Sequence, residues 1–141
     1  MFKKLETADV GTTRYLDEVL DYVKFNADGL IPAIAQQHDS GEVLMMAWMN
    51  AKALKETLET GRVCYWSRSR AAYWRKGEES GNVQTLKELR LDCDGDTVLL
   101  KIDQQGPACH SGRRNCFYNH IYDGKLEVTD APMVDPESMY S

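Results

Sequence analysis

The segment LKELRLDCDGDTVLLKID, residues 86–103, contains two runs with alternating apolar residues that flank the turn sequence D-G-D. This pattern is typical of a β-hairpin. Further strands are predicted at residues 30–37, 42–49 and 62–69, and a second hairpin is predicted at residues 117–128. A short polar turn joins the first two of these strands, so segments that are neighbours in sequence are expected to pair antiparallel.

Two short helices are predicted between the strands. Residues 13–23 carry apolar side chains at helical spacing, and Asn50 is expected to cap a second helix that ends at Gly61. Because strands outnumber helices and pair locally, the sequence predicts an α+β fold, a mostly antiparallel β-sheet with a few short helices. Residues 1–128 are expected to form this single domain, and the acidic residues 129–141 a loose C-terminal tail.

The composition of the 141 residues excludes several classes of protein. Hydrophobic residues make up 43% and charged residues 28%, which is ordinary for a globular domain and not for a disordered one. No apolar run approaches the roughly 20 residues that span a bilayer, and the N-terminus lacks a signal-peptide core, so a cytoplasmic location is expected. The net charge of −5 argues against nucleic acid or an anionic membrane as a partner.

One cysteine, Cys93, lies among Asp92, Asp94 and Asp96. In an extended segment side chains alternate between faces, so the thiol would point to one side and the carboxylates to the other. Soft sulfur suits Zn²⁺ and hard oxygen suits Mg²⁺ or Ca²⁺, which makes two different metal sites one hypothesis. A solvated turn without metal is the other. The glycine and glutamate that a calcium-binding EF-hand needs are missing from their positions.

The loop QQGPACHSGRRNCF, residues 104–117, carries two more cysteines, Cys109 and Cys116. Cytoplasmic thiols stay reduced, so metal binding or catalysis is favoured over disulfides. With Cys93 they form a set of three without the C-x2-C spacing of most structural zinc sites, and three ligands suit a catalytic zinc that keeps one position open. His110 could be a fourth ligand, a base or an ordinary loop histidine.

Basic and aromatic residues alternate between residues 62 and 76. Arginine binds phosphate with two hydrogen bonds and flat aromatic rings stack on bases, so a nucleotide ligand is indicated. Single-stranded nucleic acid would use the same groups, but the acidic remainder of the chain favours a small phosphorylated nucleotide. An arginine-edged strand with core tryptophans is the structural alternative. The candidate substrate-binding residues are Trp66, Arg68, Arg70, Trp74, Lys76, Arg113 and Arg114.

The motifs YWSRSR, WRKGEESGNVQ and LDCDGDTVLLKIDQQGPACHSGRRNCF together closely resemble the phosphoribosyl-AMP cyclohydrolase family. The likeness also includes GLIPAIAQ and GEVLMMAWMN, and it covers roughly residues 25–122 in order. It implies a monofunctional, zinc-dependent hydrolase of histidine biosynthesis. Its substrate would be 1-(5-phosphoribosyl)-AMP, whose purine ring opens at the N1–C6 bond to give the phosphoribosyl-formimino aminoimidazole carboxamide ribotide.

The resemblance also implies roles for individual residues. Cys93, Cys109 and Cys116 match the family's zinc ligands, and Asp92, Asp94 and Asp96 match its magnesium ligands. In the family, the zinc site is shared between the two subunits of a homodimer. His110 is the predicted general base or proton shuttle.

Three other functions are weaker alternatives. A nucleobase deaminase would need H-x-E and P-C-x-x-C motifs, which this loop lacks. A zinc-stabilised nucleic-acid binder and a structural-zinc interaction protein are the other two.

Overall fold

The computed structural model describes residues 1–140. Three α-helices are present, α1 (Phe2–Leu5), α2 (Leu16–Tyr22) and α3 (Ala51–Thr60), and a 3₁₀ helix spans Pro136–Tyr140. The strands are β1 (Ile31–Gln37), β2 (Val43–Met49), β3 (Cys64–Ser67), β4 (Ala72–Arg75), β5 (Gln84–Leu91), β6 (Val98–Gln104), β7 (Asn119–Tyr122) and β8 (Lys125–Val128). Within residues 1–140, no helix combines the length and the apolar character that crossing a membrane requires.

Six strands form one sheet in the order β4-β3-β2-β1-β6-β5, and β7 and β8 form a separate two-stranded sheet. All pairings are antiparallel except that of β1 with β6. The predicted α+β class with a mostly antiparallel sheet is therefore confirmed, as is the hairpin over residues 86–103, now β5 and β6. The prediction that strands pair with their neighbours in sequence was wrong for one pair, because β1 pairs in parallel with the distant β6.

The buried face of the sheet forms the core. Along β1 every second residue is buried, beginning with Ile31 and Ala33, and β6 contributes Val98, Leu100 and Ile102 in the same alternation. This strict period of two is what a strand with one covered face requires. Residues of the opposite parity are less buried, so the sheet keeps a second, partly exposed face.

Helix α3 packs on the sheet and has the ends that the sequence predicted. The Asn50 side chain accepts a hydrogen bond from the backbone N–H of Ala53 at 2.8 Å. Gly61 follows the helix in the left-handed region, with φ of 73°, where glycine is favoured. Next to this helix Cys64 is fully buried, and burial, together with nearby Glu56, raises its pKa to about 12. Its position within the apolar strand sequence VCYW predicts a packing residue and not a metal ligand, and this environment agrees with that prediction.

The N-terminal region differs from the sequence prediction. The predicted helix at residues 13–23 begins only at Leu16, because Tyr15 is extended. Helix α1 was not predicted, and its four residues carry too short a pattern to be detected. Its Phe2 ring packs against Gly95, where any Cβ would overlap the ring. The N-terminus therefore covers one side of the turn between β5 and β6.

Residues 129–134 are hydrogen-bonded to the rest of the chain, whereas the sequence predicted a loose tail. The backbone N–H of Thr129 donates to the carbonyl of Tyr118, and that of Met133 donates to Gly112. The acidic, proline-containing composition that suggested a loose segment carries no information about these backbone partners. The domain boundary at residue 128 stays a prediction.

Candidate metal and nucleotide site

The turn between β5 and β6 gathers three carboxylates. Strand β5 ends at Leu91, and Asp92, Asp94 and Asp96 are exposed, with a carboxylate oxygen of each within 4.8 Å of the others. The Asp92 carboxylate accepts backbone N–H groups of Asp96 and Thr97 at 3.0 and 3.2 Å, which closes the turn. The strict face-to-face alternation predicted for this stretch therefore does not hold, because the segment is a turn and not an extended strand.

Electrostatic repulsion within this cluster favours a cation. Hydrogen bonding and charge from Asp92 and Asp94 raise the pKa of Asp96. For Asp92, the slight loss of solvent around its exposed carboxylate acts to raise the pKa, but hydrogen bonds from Asp96, Thr97 and Asp94 together outweigh this effect and lower the pKa. Carboxylate oxygens this close together are the donors that Mg²⁺ prefers, so the residues fit the predicted magnesium site.

Cys109 and Cys116 lie in the loop after β6, beside one another. Backbone hydrogen bonds from Cys109 to Arg113 and from Cys116 to Leu44, at 3.1 and 2.8 Å, fix the loop to itself and to β2. The Ser111 hydroxyl donates to the Cys109 sulfur at 3.0 Å. A pair of fixed, neighbouring thiols is a suitable half of a zinc site.

The two thiols differ in acidity. Burial acts to raise the pKa of Cys109, but the hydrogen bonds from Ser111, together with the hydrogen bond from Cys116 and the charge of Lys76, outweigh burial and place that pKa below its ordinary value. Burial and the negative charge of Cys109 raise the pKa of Cys116 to about 12. Zinc binding requires both cysteines as thiolates. A divalent cation would compensate the repulsion between the two negative charges, which contributes to the raised pKa of Cys116.

Cys93 lies at the opposite end of the sheet from the other two cysteines. It is exposed in the turn that precedes β6, whereas Cys109 and Cys116 follow that strand. The seven residues of β6 span about 20 Å. Among the residues that the structure describes, no group of three metal-ligating side chains combines Cys93 with the other two.

His110 and part of the predicted nucleotide-binding surface share a cavity of about 310 Å³. Its lining combines the cations Arg70, Arg75 and Lys76 with the carboxylates Glu78 and Glu79, and it also includes Tyr73, Trp74, Ser80 and His110. Lys76 is buried and donates from Nζ to the carbonyl of Ala108 at 2.6 Å. Burial lowers the pKa of this lysine, while the nearby thiols of Cys116 and Cys109 act in the opposite direction. The cavity thus places cationic side chains and a histidine beside the cysteine loop.

A second, more open cavity of about 630 Å³ lies over β2 and β3. Trp48, Trp66, Arg68 and Trp74 line it, and the Arg68 guanidinium lies 4.6 Å from the centre of the Trp48 ring. Trp74 lines both cavities. Sequence reasoning missed Trp48, although its place directly across from Trp66 follows once β2 and β3 are paired.

Arg113 and Arg114 are bound to their own chain. Arg114 donates to the carbonyls of Gln104 and Gly106 and to the Gln37 side chain, at 2.8 to 3.0 Å. Arg113 donates to a backbone carbonyl at 2.7 Å and stacks 4.0 Å from the centre of an aromatic ring. Both therefore support the cysteine loop, and their role in substrate binding stays a prediction.

Known proteins with similar sequences identify the family of this chain. Residues 45–118 match the family model of phosphoribosyl-AMP cyclohydrolase. Proteins named phosphoribosyl-AMP cyclohydrolase from Alkalilimnicola ehrlichii and Halorhodospira halophila are 68% and 63% identical over 140 residues, covering 99% of each chain. One from Hydrogenovibrio crunogenus is 62% identical over 139 residues, covering 99% of this chain and 95% of its own.

Matches at this level show that the chain is an enzyme. It belongs to the phosphoribosyl-AMP cyclohydrolase family, which confirms the resemblance seen in the sequence motifs.

Proposed function

We propose that this enzyme hydrolyses 1-(5-phosphoribosyl)-AMP at the N1–C6 bond of the purine, the third step of histidine biosynthesis, in the cytoplasm. The observation that carries the proposal is the near full-length identity of 62–68% to proteins named for this activity. The cavity beside His110 supports it, because cationic and aromatic side chains there suit a phosphorylated base.

Three cysteines are proposed to hold Zn²⁺ across a homodimer. Cys109 and Cys116 supply two thiolates from one chain, and Cys93 of the partner subunit supplies the third. The separation of about 20 Å between the ends of β6 supports sharing, because one chain cannot bring its own three thiols together. When bound, zinc would act as a Lewis acid that lowers the pKa of a water molecule from 15.7 toward about 7.

The partly exposed face of the sheet is the proposed dimer surface. It carries Pro32, Ile34, Met46 and Trp48, which lie on the side of β1 and β2 opposite the core. In this homodimer, the two-fold axis would lie in the plane of the interface and perpendicular to the strands. The strands of the two copies would therefore point in opposite directions. The turn that carries Cys93 would then meet the cysteine loop of its partner.

The proposed magnesium site is the cluster of Asp92, Asp94 and Asp96. Bound Mg²⁺ would provide positive charge for a substrate with two phosphate groups. Arg70 and Lys76 line the cavity and would provide further positive charge for the phosphate groups.

His110 is the proposed proton carrier. Water oxygen bonds to C6, the N1–C6 bond breaks, and C6 becomes the carbon of a carboxamide. The water loses both of its protons: His110 takes one and returns it to N1 as that nitrogen leaves, and the other goes to the exocyclic nitrogen on C6, which becomes the NH2 of the carboxamide. Trp74 lies in the same cavity and offers a flat face on which the purine can stack.

Metal analysis of the purified protein, combined with an absorbance assay of phosphoribosyl-AMP ring opening, tests the proposal. Turnover by protein that contains about one zinc per chain and is supplied with Mg²⁺ is expected. Absence of turnover in protein with its full zinc content would contradict it.

A further inference from the structure

After β8 the chain turns back along the cysteine loop. The backbone N–H of Thr129 donates to the carbonyl of Tyr118 at 2.9 Å, and the N–H of Met133 donates to the carbonyl of Gly112 at 2.9 Å. Residues 129–134, here named the strap, therefore run antiparallel to the segment that leaves the loop.

Two further contacts join the strap to the loop. Arg113 donates from Nε to the carbonyl of Asp130 at 2.7 Å, and its guanidinium stacks on Tyr118. At Gly112 a Cβ would overlap the carbonyl oxygen of Val134, so the strap lies directly against the glycine. The contact requires a residue without a side chain at this point.

Gly112 connects the strap to a ligand cysteine. Its own N–H donates to the carbonyl of Cys109 at 3.0 Å, while its carbonyl accepts from Met133. Cys116 is attached differently, because its N–H donates to Leu44 in the sheet. The sheet thus fixes Cys116, whereas the strap is hydrogen-bonded to Gly112, whose own N–H is hydrogen-bonded to Cys109.

We propose that the strap is a positioning element of the metal site. It holds the turn at Gly112 so that the Cys109 thiol stays beside Cys116, and Met133 acts through its backbone N–H. The inference rests on the zinc site of the proposed function. It gives the C-terminal segment, which the sequence motifs leave outside the resemblance, a role in binding the metal.

The test uses the full-length protein with Met133→Pro, which removes the shorter of the two N–H donors to the Gly112 carbonyl and leaves that of Val134 at 3.4 Å, and Met133→Ala as its matched control. Met133 is 56% exposed, so loss of its side chain should have a small effect in either variant. Zinc affinity is measured by competition with a chromogenic chelator. Cys109 is buried, so its alkylation by iodoacetamide in metal-free protein, located by mass spectrometry, reports how readily the turn at Gly112 opens without any metal.

Met133→Pro is expected to weaken zinc binding roughly five-fold, as the loss of one hydrogen bond implies. It should also change the rate of Cys109 alkylation, while Met133→Ala matches the parent protein in both measurements. Equal zinc affinity and equal alkylation rates in the two variants would overturn the proposal. If the parent protein binds no zinc, the proposed metal site is wrong, and the alkylation rates alone decide the role of the strap.

A second pair of variants covers the case in which Met133→Pro fails to fold. Gly112→Ala and Gly124→Ala both place alanine in the left-handed region, at φ of 84° and 72°, but only the first meets the strap. Weaker zinc binding and altered Cys109 alkylation in Gly112→Ala alone support the proposal. Equal behaviour of the two alanine variants would overturn it.

Discussion

Replacing Gln104 with methionine should destabilise the fold and the cysteine loop together. This side chain is buried at the end of β6. Its Oε1 accepts from Gln84 at 2.8 Å, and its Nε2 donates to the carbonyls of Asn82 and Gln105 at 3.1 and 2.9 Å. Methionine has a similar volume but replaces neither the donor nor the acceptor, so these partners lose hydrogen bonds inside the protein.

The magnitude follows from the number of partners. Gln104 makes three of these hydrogen bonds, and each contributes about 0.5–1.5 kcal/mol net, so a total loss of about 2–4 kcal/mol in the free energy of unfolding is expected. Tyr65→Phe is the control in the same network, because it removes only the hydroxyl that donates to Gln84 at 2.7 Å. Its expected cost is about 1–2 kcal/mol.

Urea unfolding followed by tryptophan fluorescence measures both variants against the parent protein. Gln104→Met is expected to cost more than Tyr65→Phe and also to weaken zinc binding, because Gln104 supports the start of the cysteine loop. A cost below about 1 kcal/mol, or one smaller than that of Tyr65→Phe, would show that the Gln104 hydrogen bonds do not stabilise the fold as stated.

Three further predictions concern the metals and acid stability. Serine at any predicted zinc-ligand cysteine should abolish zinc binding and turnover in metal analysis and assay, whereas Cys64→Ser should keep both; zinc retained in a ligand variant would contradict the assignment. Asp94→Asn and Asp96→Asn should weaken the response of turnover to Mg²⁺ and leave the zinc content unchanged; released zinc would argue against separate sites. The hydrogen bond from Arg75 lowers the pKa of Glu56, so this pair stabilises the fold above the ordinary glutamate pKa and is lost as pH falls through the lowered value. Glu56→Gln should therefore flatten the decline of stability in acid urea titrations, and an unchanged slope would disprove it.

Local patterns predicted much of the fold. The alternation in residues 86–103 and the Asn50 and Gly61 signals act over a few residues, and the structure agrees with each of them. The parallel pairing of β1 with β6 joins residues such as Ala33 and Val98. No pattern in either strand specifies that partner, so this part of the fold could not be predicted.

The sequence predicted which residue types form the candidate site, but it predicted little of their arrangement in space. Cys109, Cys116 and His110 share one loop, so sequence proximity alone places them together. The distance of Cys93 depends on the length of β6, and the contacts of Arg114 depend on where the loop folds back. These are tertiary properties, which the composition of a motif does not encode.

A mixing experiment with two cysteine variants tests whether the zinc site is shared between subunits. Homodimers of Cys93→Ser and of Cys109→Ser should each be inactive, because every shared site loses one ligand. In a heterodimer of the two, one site carries both lesions and the other carries none. After exchange verified by native mass spectrometry, the mixture should recover about a quarter of full activity, since about half of the dimers are mixed and each has one intact site. If no activity returns although exchange is complete, each site lies within one chain and the shared arrangement is wrong.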